Sequence, residues 1–183
     1  YKEFYQRVRV FLHKDFNALR KYPQSIPWLT IAEFWNNEWW VAGEQNGFRI
    51  TVGVGKPTAA ESDLYFILEA EDAGQKKVWE ADKASAKVPI GQWFTLEYYF
   101  REGNKVTGRF TMVITPDGGE RQVLFDVNDY THNSYDLAPN GLSGYNPMKL
   151  YTSREVVGFM KNQGKALQIY WDDFELWINK KMK

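Results

Sequence analysis

The chain has 183 residues, with 23 Lys plus Arg against 23 Asp plus Glu, two histidines and no cysteine. That length suits one domain, burying roughly 70% of the surface of its unfolded chain and so needing no covalent staple, and without cysteine it has neither disulfides nor thiolate metal sites. A net charge of zero gives no long-range positive field to gather nucleic acid or an anionic membrane, and no apolar run reaches the ~20 residues of a membrane helix.

In chain order, period two dominates. The chain starts without Met on YKEFYQRVRV, already strand-like, and ends in KKMK, a short solvated tail, so the expectation is a mature or excised piece of a longer protein. After FYQRVRVFL comes KDFNALRKY (14 to 22), which predicts a turn or two of helix. WLTIAEFW, GFRITVGVG, DLYFILEAE, KKVWEAD, WFTLEYYF, RFTMVITPDG and RQVLFDVN then alternate or run apolar with many β-branched and aromatic residues, the signature of strands. A long irregular stretch, DYTHNSYDLAPNGLSGYNP (129 to 147), follows, of a length that is often functional. MKLYTS reads as another strand, SREVVGFMKNQG (153 to 164) is ambiguous with Gly158 favouring strand, and LQIYWDDFELWI closes the chain. Turn signals separate the runs, among them PDGG at 116 to 119 and NQGK at 162 to 165. About ten strands with almost no helix predict an all-β fold, a β-sandwich jelly roll of two antiparallel sheets spanning 1–183 as one domain.

Alternation also assigns faces. Phe48, Ile50, Val52 and Val54 point to the core, leaving Arg49 and Thr51 outside. Leu64, Phe66 and Leu68 point inward, leaving Tyr65, Ile67, Glu69 and Glu71 outside. LTIAEFWNN alternates less cleanly. An unpaired carboxylate in the core is costly, so Phe34 goes in, and Glu33 and Trp35 go out together.

Aromatic residues make up 17% of the chain, with 8 Trp, 11 Tyr and 12 Phe. Packing alone rarely needs so many indoles. Trp93, Trp171 and Trp177 read as packing. EFWNNEWW, with Trp35, Trp39 and Trp40 beside Glu33 and Asn36, reads as a display surface whose NNEWW continues into a rim loop. Pyranose C–H faces stack on aromatic rings, while sugar hydroxyls bond carboxylates, amides and guanidinium groups. The plainer alternative is that these tryptophans close one end of the sandwich.

LQIYWDDFELWI, the preceding KLYTS, and GQWFTLEYYFREGNKVTGRFTMVITPDGGERQVLFDV together resemble the concanavalin-A-like lectin/glucanase jelly roll, a superfamily of laminarinases, alginate and related polysaccharide lyases and carbohydrate-binding modules. The resemblance implies a glycan lying along a concave sheet. The Gln-Ile-His of the alginate-type lyases resembles Glu33-Phe34-Trp35, with Trp in place of His. Their Tyr-Phe-Lys-Ala-Gly strand loosely resembles Met148-Lys149-Leu150-Tyr151-Thr152, so Lys149 and Tyr151 would face the groove. A lyase needs a base near the uronate α-proton and a group to neutralise the carboxylate; of the two histidines, His13 follows the first strand and His132 sits in the long loop. The laminarinase motif Glu-x-Asp-x-x-Glu is absent, and Glu33 with Glu69 is the pair whose separation would matter for hydrolysis. Asp172 and Asp173 are candidates for a structural calcium if a bulge brings them to one side.

These readings converge on a monomeric, non-catalytic carbohydrate-binding module. The resemblance would place its parent protein outside the cell, in the periplasm or on the cell surface. No cofactor beyond a structural calcium is expected. The expected ligand is a polysaccharide, a β-glucan or xylan given the neutral charge, held by Trp35, Trp39, Trp40, Glu33, Asn36, Arg49, Tyr65, Glu69, Lys149 and Tyr151. The alternative is an enzyme of the same fold, either a lyase using His132 or Tyr151 or a hydrolase using Glu33 and Glu69.

Overall fold

A computed structural model describes residues 1–36, 46–58, 60–72, 74–83 and 86–179. The alternating runs form β1 (Glu3–Leu12), β2 (Thr30–Asn36), β3 (Phe48–Gly55), β4 (Tyr65–Asp72), β5 (Lys76–Lys83), β6 (Trp93–Arg101), β7 (Arg109–Pro116), β8 (Gln122–Val127), β9 (Gly144–Asn146) and β10 (Ile169–Ile178). They make two five-stranded antiparallel sheets, ordered β10-β1-β6-β7-β8 and β5-β4-β3-β2-β9.

The inner faces carry the apolar half of each alternation: Phe4, Val8, Val10 and Leu12 from β1, Phe48, Ile50, Val52 and Val54 from β3, and Phe66 and Leu68 from β4 are all buried. Phe34 sits at the centre of the aromatic cluster, its ring 5.6 Å from Phe4, 5.3 Å from Tyr145 and 5.8 Å from Phe110. On the outer face of the first sheet, Trp177 stacks on Tyr5 at 5.1 Å, and Tyr5 donates to Glu97 at 2.8 Å. Trp171 packs against the core, and Trp93 lies beside Phe11 and under Arg9. These three indoles belong to packing, as their sequence positions suggest.

Two segments differ from their sequence reading. Residues 153–164 are not a strand: α1 (Arg154–Asn162) is capped by the Ser153 hydroxyl, which accepts from the Val156 N–H at 3.3 Å. Val156, Phe159 and Met160 recur at helical spacing and pack inward, and that face outweighs Gly158, whose missing side chain faces open space. Residues 148–153 are not a regular strand either. The strand there is β9, cut short by Pro147, which has no N–H for a ladder. Beyond the proline, the Lys149 N–H still donates to the Ile31 carbonyl at 3.0 Å, and the Tyr151 N–H to that of Thr30 at 3.1 Å. The predicted turns near residue 14 are a 3₁₀ helix, Lys14–Lys21.

A bulge interrupts the pairing of β1 with β10 between Arg7 and Arg9, and Asp173, at φ 48°, sits in it. Both aspartates are exposed. Asp173 lies 3.9 Å from the Arg9 guanidinium, and Asp172 Oδ1 accepts the Asp173 N–H at 2.9 Å. With Asp173 beside a guanidinium and Asp172 turned to a backbone N–H, the pair supplies few of the six to eight oxygens that calcium takes. Among the described residues, no group of three or more His, Asp or Glu side chains could hold a metal ion.

Candidate active site

The outer face of the second sheet is polar at its middle. Register sets Trp35, Arg49 and Glu71 in one cross-strand row and Glu33, Thr51 and Glu69 in the next. Side chains in such rows stand within contact distance on one face. A bulge between Thr30 and Ala32 breaks the alternation of β2. It sends Ile31 and Ala32 inward in succession, and puts Trp28 and Thr30 on the same side as Glu33. The segment after β9 completes the wall, because its backbone bonds to Thr30 and Ile31 deliver Lys149 and Tyr151. The result is a cleft of about 290 Å³.

Its floor is a string of alternating charge. Lys149 Nζ donates to Glu33 Oε2, Arg49 Nη1 donates to Glu33 Oε1 at 3.0 Å, and Arg49 Nη2 donates to Glu71. The Glu33 side chain is only 6% exposed, which two cations at its two oxygens make tolerable. Tyr151 stands out of this floor, 59% exposed, its ring 5.1 Å from that of Trp28 and 5.1 Å from Lys149 Nζ. The phenol is thus propped by an indole, faced by an ammonium and open to solvent.

Glu69 completes the far side, accepting from the Thr51 hydroxyl at 3.3 Å with Lys77 at 3.7 Å. Burial, and then the charge of Glu71, push its carboxyl above the ordinary value of 4.5. The fold therefore favours protonated Glu69. That contribution to stability is complete at pH below 4.5 and is lost as pH rises through the folded-state value. Glu69→Gln, which mimics the protonated form, should raise Tm at about pH 7 by about 1–2 °C, the shift that roughly 0.5 kcal/mol makes in a chain of this size, and leave it unchanged at about pH 4. Thermal melts at the two pH values check this.

Of the residues singled out in the sequence, Glu33, Arg49, Glu69, Lys149 and Tyr151 line the cleft together. Trp35 is half-buried beside the Arg49 row, its ring laid so closely over Gly144 that a Cβ there would overlap it. Tyr65 shares the outer face but lies beyond the cleft, its ring over Gly55. Asn36 continues the inward alternation of Ala32 and Phe34 and is 3% exposed on the core side. His132 is buried, its Nδ1 2.7 Å from the Asn133 carbonyl and its ring edge-on to Tyr130, and it does not line the cleft. Trp39 and Trp40 lie outside the described residues. Trp28, Thr30 and Gln75 line the cleft without having stood out in the sequence. The first two are hidden by the bulge, which puts them out of step with Glu33.

No family model matches this chain, and no curated protein matches it in sequence. Solved structures do. A variant of the alginate lyase Aly36B with a bound alginate trisaccharide superposes with a TM-score of 0.59 at 14% identity, over 96% of this chain and 70% of that one. The fold is the concanavalin-A-like jelly roll. Two further jelly rolls of this kind are similar: the marine PL-14 alginate lyase of Aplysia kurodai (TM-score 0.51, 11% identity, 96% of this chain and 69% of that one) and an endo-β-1,4-glucuronan lyase from the fungus Trichoderma reesei (TM-score 0.51, 15% identity, 96% and 68%).

Proposed function

We propose that the protein is a polysaccharide lyase that cleaves a uronate-containing chain in this cleft, acting outside the cell or in the periplasm. The observation that carries the reading is Tyr151, exposed beside the Lys149 and Arg49 cations on the sheet face of a jelly roll similar to those of three uronate lyases. β-Elimination needs three things. A cation must draw charge onto the uronate carboxylate so that the adjacent C–H becomes acidic, a base must take that proton, and an acid must protonate the departing glycosidic oxygen as the C–O bond breaks and the C=C bond forms. Lys149 and Arg49 supply the first, the bound carboxylate competing with Glu33 for both. Tyr151 is the group placed to exchange the protons. Glu33 holds the two cations close together, so little reorganisation is needed to bind a carboxylate.

This reading displaces two parts of the sequence expectation. The lyase alternative is favoured over a non-catalytic module by the structures this chain is similar to. A uronate polymer is favoured over neutral glucan or xylan by the paired cations, since the chain's zero net charge does not describe the cleft's local field. Incubation with alginate, glucuronan, β-glucan and xylan tests the proposal. The expected result is unsaturated-uronate absorbance from one or both uronate polymers and none from the neutral ones. Retardation in glycan-loaded gels without product would restore the binding module, and new reducing ends without unsaturation would make the enzyme a hydrolase.

A further inference from the structure

We propose that the substrate chain crosses Tyr151 into a second compartment, which binds the next uronate residue through Lys161 and Lys165. This rests on the lyase reading and extends it to a stretch of substrate longer than the reacting unit. A separate pocket of about 390 Å³ lies between residues 150–152, α1 and residues 165–167. Tyr151 lines both spaces and so stands at their boundary. The two compartments differ in charge. In the first, Arg49 and Lys149 stand among three carboxylates, those of Glu33, Glu69 and Glu71, whereas the second has lysines at 161 and 165 and no acidic residue in its lining.

The two lysines are held differently. Lys165 is fixed by Asp15 at 3.4 Å, and Asp15 is itself anchored by the Ala166 N–H at 3.3 Å. Lys161 is exposed and has no acidic partner among the described residues. Behind them Val157, Met160 and Leu167 give an apolar back wall, with Val157 49% exposed. An anionic sugar matches both features: its carboxylate meets the ammonium groups while its C–H face covers Val157 and the edge of Tyr151. A neutral sugar would use only the wall. An apolar peptide segment would leave Lys161 desolvated without a counter-charge.

The test is a length series of purified uronate oligomers, assayed by calorimetric titration and by unsaturated product, on wild type and on Lys161→Gln and Val157→Glu. Thermal melts first establish that both variants fold. Wild type should gain affinity sharply once the oligomer is long enough to pass Tyr151. That gain should shrink about tenfold in Lys161→Gln and further in Val157→Glu, and it should weaken with added salt as a charge contact does. A gain of equal size in all three proteins overturns the second compartment, whatever the activity. If wild type binds with the length-dependent gain but releases no unsaturated product, the lyase reading fails and the compartment stands.

Discussion

Tyr151→Phe is expected to lower kcat on a uronate polymer by about 10²–10⁴-fold, the range for losing a positioned proton-transfer group, with Tm unchanged. The two halves follow from separate observations. The hydroxyl is the atom removed, and the described structure gives it no hydrogen bond to another residue, so the fold loses nothing with it. The ring that remains keeps its contact with Trp28 and its place before Lys149. Substrate binding through Arg49 and Lys149 should survive, so KM should change far less than kcat, the pattern of an interaction made only in the transition state. Steady-state kinetics with a matched melting curve measure both. A loss confined to KM would make Tyr151 a platform for sugar, and a variant with undiminished kcat would remove it from the chemistry.

Phe34→Ala should cost about 3–5 kcal/mol of folding stability, the range for emptying an aromatic site in a packed core. Phe34 is 0% exposed and touches rings from both sheets and from the segment before Lys149: Phe4, Tyr98, Phe110 and Tyr145. Whole domains are stable by about 5–15 kcal/mol, so this one truncation should remove a large share. The site should suffer as well, because Tyr145 lies in β9, the strand that leads to Lys149 and Tyr151. Urea denaturation gives the number. A cost below about 1 kcal/mol would mean that the neighbouring rings close over the gap.

Much of this was legible in the sequence because period-two alternation is a direct projection of a two-faced sheet. The inward set of β3 and β4, the outward Arg49 and Glu69, and the split of Phe34 from Glu33 all follow from it. Where the projection fails, a local rule had been broken. Asn36 obeys the alternation although its polarity argues for the outer face, so pattern and polarity disagree there. Trp28 and Thr30 fall out of phase because one residue too many stands opposite Gly53. α1 has two adjacent valines followed by a glycine, a run that imitates a strand, and only its Ser153 cap and the Val156–Met160 spacing reveal the helix. Lys149 and Tyr151 came from resemblance, since their placement depends on Pro147 ending β9, a long-range pairing that no local pattern encodes.

The extra residue in β2 also says how such a cleft can diversify. Most of its lining, including Glu33, Arg49 and Glu69, is locked to the sheet's phase, while Trp28 and Thr30 owe their orientation to a single extra residue. Deleting one residue there would turn Leu29 outward and Trp28 into the core, and would shift the backbone bonds that hold Lys149 and Tyr151, while Arg49, Glu69 and Glu71 kept their register. Relatives of this protein with different substrates should therefore differ at this position by length before they differ by composition.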